Sequence, residues 1–235
     1  MKFSFARGAI ALAATLTLAS CGGGKATFPI NVNVLGVVYP GLVLSTNGQD
    51  LAINPPAKAG DPVNAVFPNQ IEYGETYDVV PKGQVATTAG VVLGQNPKHQ
   101  TCNPNSEYPS NLPTYGTAGQ LAKIQINYVC TINAYPLTGV VKGLTKTGLV
   151  LTNGSNGAIP VSPAVDANSA PTGADVAFAM NPVVYNNTFG VTVLAQPTGQ
   201  TCTIANGVGI MDDAAEAANP QGVNNLVVSC VNNPA

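Results

Sequence analysis

AFAMNPVVYNNTFGV, residues Ala177 to Val191, lies without a gap on AVFPNQIEYGETYDV, residues Ala65 to Val79, keeping alanine, asparagine, tyrosine, threonine and valine at five positions. A stretch that recurs within one chain is one unit of structure used twice. Within the second copy, Thr188 to Leu194 puts Phe189, Val191 and Val193 on one face at period two, the pattern of a half-buried strand. Flanking blocks repeat in the same order. Upstream, Gly36-Val37-Val38 followed by Gly41-Leu42-Val43-Leu44 answers Gly139-Val140-Val141 followed by Gly148-Leu149-Val150-Leu151, with a longer connection in the second copy. Downstream, Gln100-Thr101-Cys102 matches Gln200-Thr201-Cys202, and the aliphatic run ending in Cys130 matches Asn225 to Cys230.

The cysteines carry the same repeat. Cys102 and Cys130 are 28 positions apart, and so are Cys202 and Cys230. Cys21 apart, the chain has four cysteines; an even count in an exported chain reads as disulfides, and of the three possible connectivities 102–130 with 202–230 is the one that respects the repeat. A loop of this length would stabilise by about 3.6 kcal/mol in the loop-entropy account. Soft-metal binding needs ligands at close spacing, whereas these cysteines lie far apart with a single histidine in the chain.

Short β-branched and aromatic runs recur every eight to twelve positions between Gly, Pro, Asn or Asp. Ile30, Val32 and Val34 alternate with Asn31 and Asn33, and Asn-Gly at 47–48, 153–154 and 206–207 marks hairpins. Met211 to Ala218 is the one helical candidate. The expectation is an all-β chain of two tandem immunoglobulin-like β-sandwiches, residues 28–132 and 133–235, each with its sheets clamped by a disulfide.

The first residues give an address. Lys2 and Arg7 precede an apolar run from Gly8 to Leu18 that is too short to span a bilayer, so residues 1–20 read as a signal peptide. Leu18-Ala19-Ser20-Cys21 resembles the bacterial lipobox, which implies cleavage before Cys21 and acylation of that cysteine. The competing reading is an ordinary secretory signal with a chance cysteine. Residues 21–27, opening on Gly22 to Gly24, read as the lipidated cysteine and a flexible tether, and the implied partner is a membrane, with the outer membrane of the cell envelope as the expected location.

The elements GLVL, Tyr185 to Cys202 and a terminal V-x-C resemble a repeat of surface lipoproteins of Gram-negative bacteria. That resemblance covers both copies and implies an immunoglobulin-like or transthyretin-like sandwich without catalytic residues. Copy one departs from it by an insertion between Val80 and Val91 and by Asn103-Pro104-Asn105 after Cys102.

Composition narrows the function classes. Without its signal the chain would keep seven lysines, no arginine and eleven acids, a formal charge of −4, so nucleic acid is not an expected partner. Charged residues make up only 9% of the chain, which suits many short strands and turns. No G-x-S-x-G, H-E-x-x-H or phosphate-cradling motif occurs. His99, between Asn96 and Gln100, reads as a solvated loop histidine, and the acidic groups Glu72 with Glu75 and Asp212 with Asp213 and Glu216 read as solvated turns. Calcium at the second group lacks a glycine-spaced loop. The ligand-facing candidates are Tyr108 and Tyr115, in the proline-rich loop Asn103 to Gln120, where they would suit a glycan or a protein, although the same rings could simply pack the loop on its sheet. The expected function is a non-enzymatic, lipid-anchored binding, adhesive or structural module, with neither cofactor nor metal. The alternatives are an accessory subunit of an envelope assembly and, behind it, a hydrolase.

Overall fold

Period-two alternation builds the same sheet twice. Ile30, Val32 and Val34 turn inward from the strand Ile30–Leu35, while Asn31 and Asn33 face out, where Asn33 donates to Asn64 across the neighbouring strand at 2.9 Å. The structure, a computed structural model, describes residues 25–88, 90–105, 113–213 and 223–234; the signal region 1–20 and Cys21 lie outside the described residues.

In copy one the first sheet runs Gln100–Pro104, Ile124–Ile132, Ile30–Leu35, Val63–Val66. In copy two it runs Gln200–Ala205, Val223–Asn232, Ala134–Lys142, Val176–Val184, which is the same order of equivalent strands. The opening strand of each copy lies parallel to its closing strand, and the other neighbours are antiparallel. The second sheet of copy two is Ala158–Val161, Leu149–Asn153, Thr188–Ala195, Val208–Ile210. Copy one repeats it, but its third strand is broken at Val79 into Thr76–Asp78 and Val80–Pro81, with Tyr115–Thr117 paired to the first piece. The inserted residues between those pieces and Gln100 make a separate hairpin, Val85–Thr87 with Gly90–Val92.

Each pair of sheets closes on its own core. One core gathers Ile30, Leu42, Leu44, Tyr77, Ile126 and Tyr128, the other Leu137, Leu149, Leu151, Phe189, Val191 and Leu226, and the two share no residue. The fold is all-β and immunoglobulin-like, one sandwich per copy. The GLVL blocks supply Leu42 and Leu44 in one core and Leu149 and Leu151 in the other, all 1% exposed or less.

Some sequence expectations change. The disulfides Cys102–Cys130 and Cys202–Cys230 do form, but they do not clamp one sheet to the other. In each, the two cysteines sit directly opposite one another on neighbouring antiparallel strands of one sheet, with Cα atoms 3.9 and 4.0 Å apart. Opposed residues that exchange no backbone hydrogen bonds bring their side chains closest, which is what lets sulfur bridge them. Asn206-Gly207 is not a hairpin, because Gln200–Ala205 and Val208–Ile210 belong to different sheets. The structural partner of Gly36 is Gly143 rather than Gly139, so the connections to Gly41 and Gly148 have equal length. Of the candidate helix, 214–218 lies outside the described residues.

Candidate functional site

The Gln-Thr-Cys repeat is a bracket, and each of its side chains has a scaffold partner. Gln100 is buried, with Oε1 accepting from the backbone N–H groups of Val38 and Tyr39, both at 2.9 Å, and Nε2 donating to the Gly36 carbonyl at 2.8 Å. Gln200 does the same to Thr145, Lys146 and Gly143, each at 2.9 Å. Gly36 and Gly143 must be glycine: both have positive φ, and a Cβ on either would collide with the carbonyl oxygen of Cys130 or Cys230. The threonines donate to Asn133 Oδ1 at 2.8 Å and to Asn233 Oδ1 at 2.7 Å. The cysteine N–H groups reach the side chains of Asn96 and Gln196.

Asn133 alone separates the strand Ile124–Ile132 from Ala134–Lys142, and it is held from both sides. Its N–H donates to the His99 carbonyl at 2.8 Å, and its own carbonyl accepts the Tyr185 N–H at 2.9 Å. Residues 132–136 are therefore strand and anchor.

His99 is the centre of this junction. It is 6% exposed, so the reading of a solvated loop histidine is overturned. Tyr185 of copy two stacks on the imidazole with centroids 3.5 Å apart and planes 6° from parallel. Nε2 meets Asp213 Oδ1 at 2.6 Å and Nδ1 meets the Tyr135 hydroxyl at 2.9 Å. In the neutral ring, Nε2–H donates to the carboxylate and Nδ1 accepts from Tyr135. Lys98 joins Asp213 at 2.7 Å, and the Tyr185 hydroxyl donates to the same oxygen at 3.2 Å. Tyr39 closes the group edge-on to Tyr185 at 5.8 Å.

The electrostatics follow the contacts. The Lys98 ammonium, then the His99 ring, hold the Asp213 carboxyl below the ordinary carboxylate range. Burial, then the Asp213 carboxylate, push the Tyr185 hydroxyl up. With both ring nitrogens engaged and one face covered, His99 acts as a joint rather than a base offered to a ligand. Its backbone is left-handed, φ 63°, where the repeat places Gly199 at φ 78°. A side chain at such a position costs about 1 kcal/mol or more and persists when its surroundings over-determine it. That was the one available sequence signal: a histidine where the other copy has glycine. Its partners Tyr135, Tyr185 and Asp213 are too distant along the chain for local pattern to reveal.

Tyr115 stands 63% exposed on the strand Tyr115–Thr117 and does not pack its loop down. It borders a groove of about 670 Å³ lined by Asn47, Thr76, Tyr77, Asp78 and Gln120 among others. Tyr77 floors it, its ring lying against Gly116. Tyr108 and Glu216 of the acidic group lie outside the described residues. Glu72 pairs with Lys25 at 3.0 Å, and Glu75 accepts the Glu72 N–H at 2.8 Å, both on an exposed turn. Among the described residues, no three of His, Cys, Asp and Glu gather as a metal site would require, and no helix is long and apolar enough to cross a membrane.

No family model matches this chain, and no curated protein does. Among solved structures it is similar to the major pilin protein (T-13) of Streptococcus pyogenes, at 11% identity over 89% of this chain and 98% of that one, with a TM-score of 0.27. An overlap that loose carries no argument about function.

Proposed function

We propose that this chain is a non-enzymatic module of the cell envelope, tied to the membrane through an acylated Cys21 after removal of residues 1–20, with domains at 28–132 and 133–235. The observation that carries this reading is the pair of in-register disulfides, because such bonds persist in oxidising compartments outside the cytosol. The lipobox supplies the anchor and the two sandwiches supply a scaffold that displays surfaces. Side chains that a catalytic role would need free are engaged elsewhere: His99 joins the copies, and the Gln-Thr-Cys groups brace strands.

The binding surface is the Tyr115 groove. An exposed aromatic face beside the polar groups Asn47, Asp78 and Gln120 suits a glycan or an extended peptide. Fractionation tests the anchor: Cys21→Ala moves the protein from the membrane to the soluble fraction, and an unchanged distribution contradicts it. A glycan array and a crosslinked pull-down, each run against Tyr115→Ala, test the groove. Ligands kept undiminished by the variant would exclude Tyr115 from recognition.

A further inference from the structure

The end of copy one nearest the amino terminus presents the same aromatic pair that copy two uses to dock. Ala26, Phe28 and Tyr73 correspond to Asn133, Tyr135 and Tyr185, and the backbone agrees. Tyr73 N–H donates to the Ala26 carbonyl at 2.7 Å as Tyr185 N–H does to Asn133, and Phe28 pairs with Ile71 as Tyr135 pairs with Val183. In copy two these rings are covered by His99. In copy one Phe28 is half-buried and Tyr73 is 61% exposed. The Tyr73 ring is nonetheless fixed, lying against Gly119 with the Phe28 ring 6.4 Å away.

What covers this end follows from the chain that leads to it. Lys25 is paired with Glu72, Ala26 holds the Tyr73 N–H, and Thr27–Phe28 is a strand paired with Ile71–Glu72. Residues 25–27 of the stretch read from sequence as a tether are thus held to the sandwich. Fully extended, Cys21 to Lys25 spans about 14 Å. The strand Ile30–Leu35 alone, rising from this end toward the Asn133 junction, is about 20 Å long. Acyl chains on Cys21 therefore bring the Phe28 and Tyr73 end, and no other end of the molecule, to the bilayer surface. Aromatic rings with a polar edge partition into that interfacial zone, and Lys25 neutralises the nearer carboxylate, Glu72.

We infer that Phe28 and Tyr73 form a membrane-contact face that seats copy one on the lipid surface and points copy two away from it. This rests on acylation of Cys21. The chain has no tryptophan, so a single introduced one reports its own surroundings. Full-length acylated protein carrying Tyr73→Trp, Phe28→Trp or Val231→Trp is placed in phosphatidylethanolamine and phosphatidylglycerol vesicles whose acyl chains are brominated near the headgroup. Mass spectrometry of the amino-terminal peptide and vesicle flotation accompany each sample. At least one of the first two variants loses most of its emission and shifts to the blue, whereas Val231→Trp, at the far end of the closing strand of copy two, keeps its water-like spectrum. Acylated, vesicle-bound protein in which neither Tyr73→Trp nor Phe28→Trp is quenched, or in which all three are quenched alike, overturns the contact face. An amino-terminal peptide without acyl chains overturns the anchor itself, and the seating with it.

Discussion

Copy one and copy two share strand order, bracket and disulfide, and they part company at Val79 and Val191. In copy two Val191 sits within the unbroken strand Thr188–Ala195, opposite Asn153 of the strand Leu149–Asn153. In copy one the strand breaks at Val79, resumes over Val80–Pro81, and is followed by an inserted hairpin. The closing strand there carries Tyr128, fully buried, whose hydroxyl donates to the Val79 carbonyl at 2.9 Å, whereas the equivalent position in copy two is Val228. A break that would strand a buried carbonyl is repaired by one hydroxyl from the facing sheet. The same logic governs the junction, where copy one carries His99 and copy two Gly199. The repeated frame tolerates a local departure when a side chain from elsewhere supplies the missing contact.

Disulfide removal gives the largest expected effect. Cys102→Ser with Cys130→Ser, and Cys202→Ser with Cys230→Ser, each lower stability by about 3.6 kcal/mol. The loss falls on the copy that carries the change, read by urea unfolding with peptide-resolved hydrogen exchange. Equal loss of protection in both copies from either pair would show that the cores are not independent. Gln100→Ala and Gln200→Ala come next, at about 3 kcal/mol each, because each leaves buried backbone groups without their partner. Near-equal values for the two confirm a shared bracket.

Tyr128→Phe sharpens the contrast further. It costs copy one about 1 to 3 kcal/mol by leaving the Val79 carbonyl unsatisfied, while the packing of the ring is kept. A change below a few tenths would mean that Val79 has another partner. The smallest effect belongs to Gly199→Ala and His99→Gly, a reciprocal pair. The first costs about 1 kcal/mol through its left-handed backbone, and the second leaves the stability of each sandwich little changed, because the stacking and the two hydrogen bonds it removes join the copies rather than either core. The junction also responds to pH. Asp213 is held below the ordinary carboxylate range, so its contribution is present at neutral pH and is lost as pH falls through that lowered value. Copy-to-copy order measured by small-angle scattering therefore decreases in acid, and Asp213→Asn shows the loosened state at neutral pH.

Much of this frame was legible in the chain because it rests on local pattern. Ile30, Val32 and Val34 announced a strand by alternation, and the spacing of Cys102, Cys130, Cys202 and Cys230 matched a doubled unit. Other features depend on contacts that sequence distance hides. His99 is buried by tyrosines of the other copy, and the bridge from Cys102 to Cys130 lies within a sheet because of a register that spacing alone does not set. Identity of the following valines pairs the Gly36 block with Gly139, whereas geometry selects Gly143, where a close carbonyl admits no side chain. The proline-rich loop marks Tyr115 as a surface aromatic, but the groove beside it comes from Tyr77 and Asn47, which no local motif joins to it.

The central claim is that Asn133, with His99 between Tyr185 and Asp213, locks the two sandwiches into one body. Residual dipolar couplings of the backbone amides at neutral pH test it most directly. A single alignment tensor fitting both copies, which splits into two of unequal magnitude in His99→Gly, is the predicted result. Two tensors of unequal magnitude in the unaltered protein would contradict it.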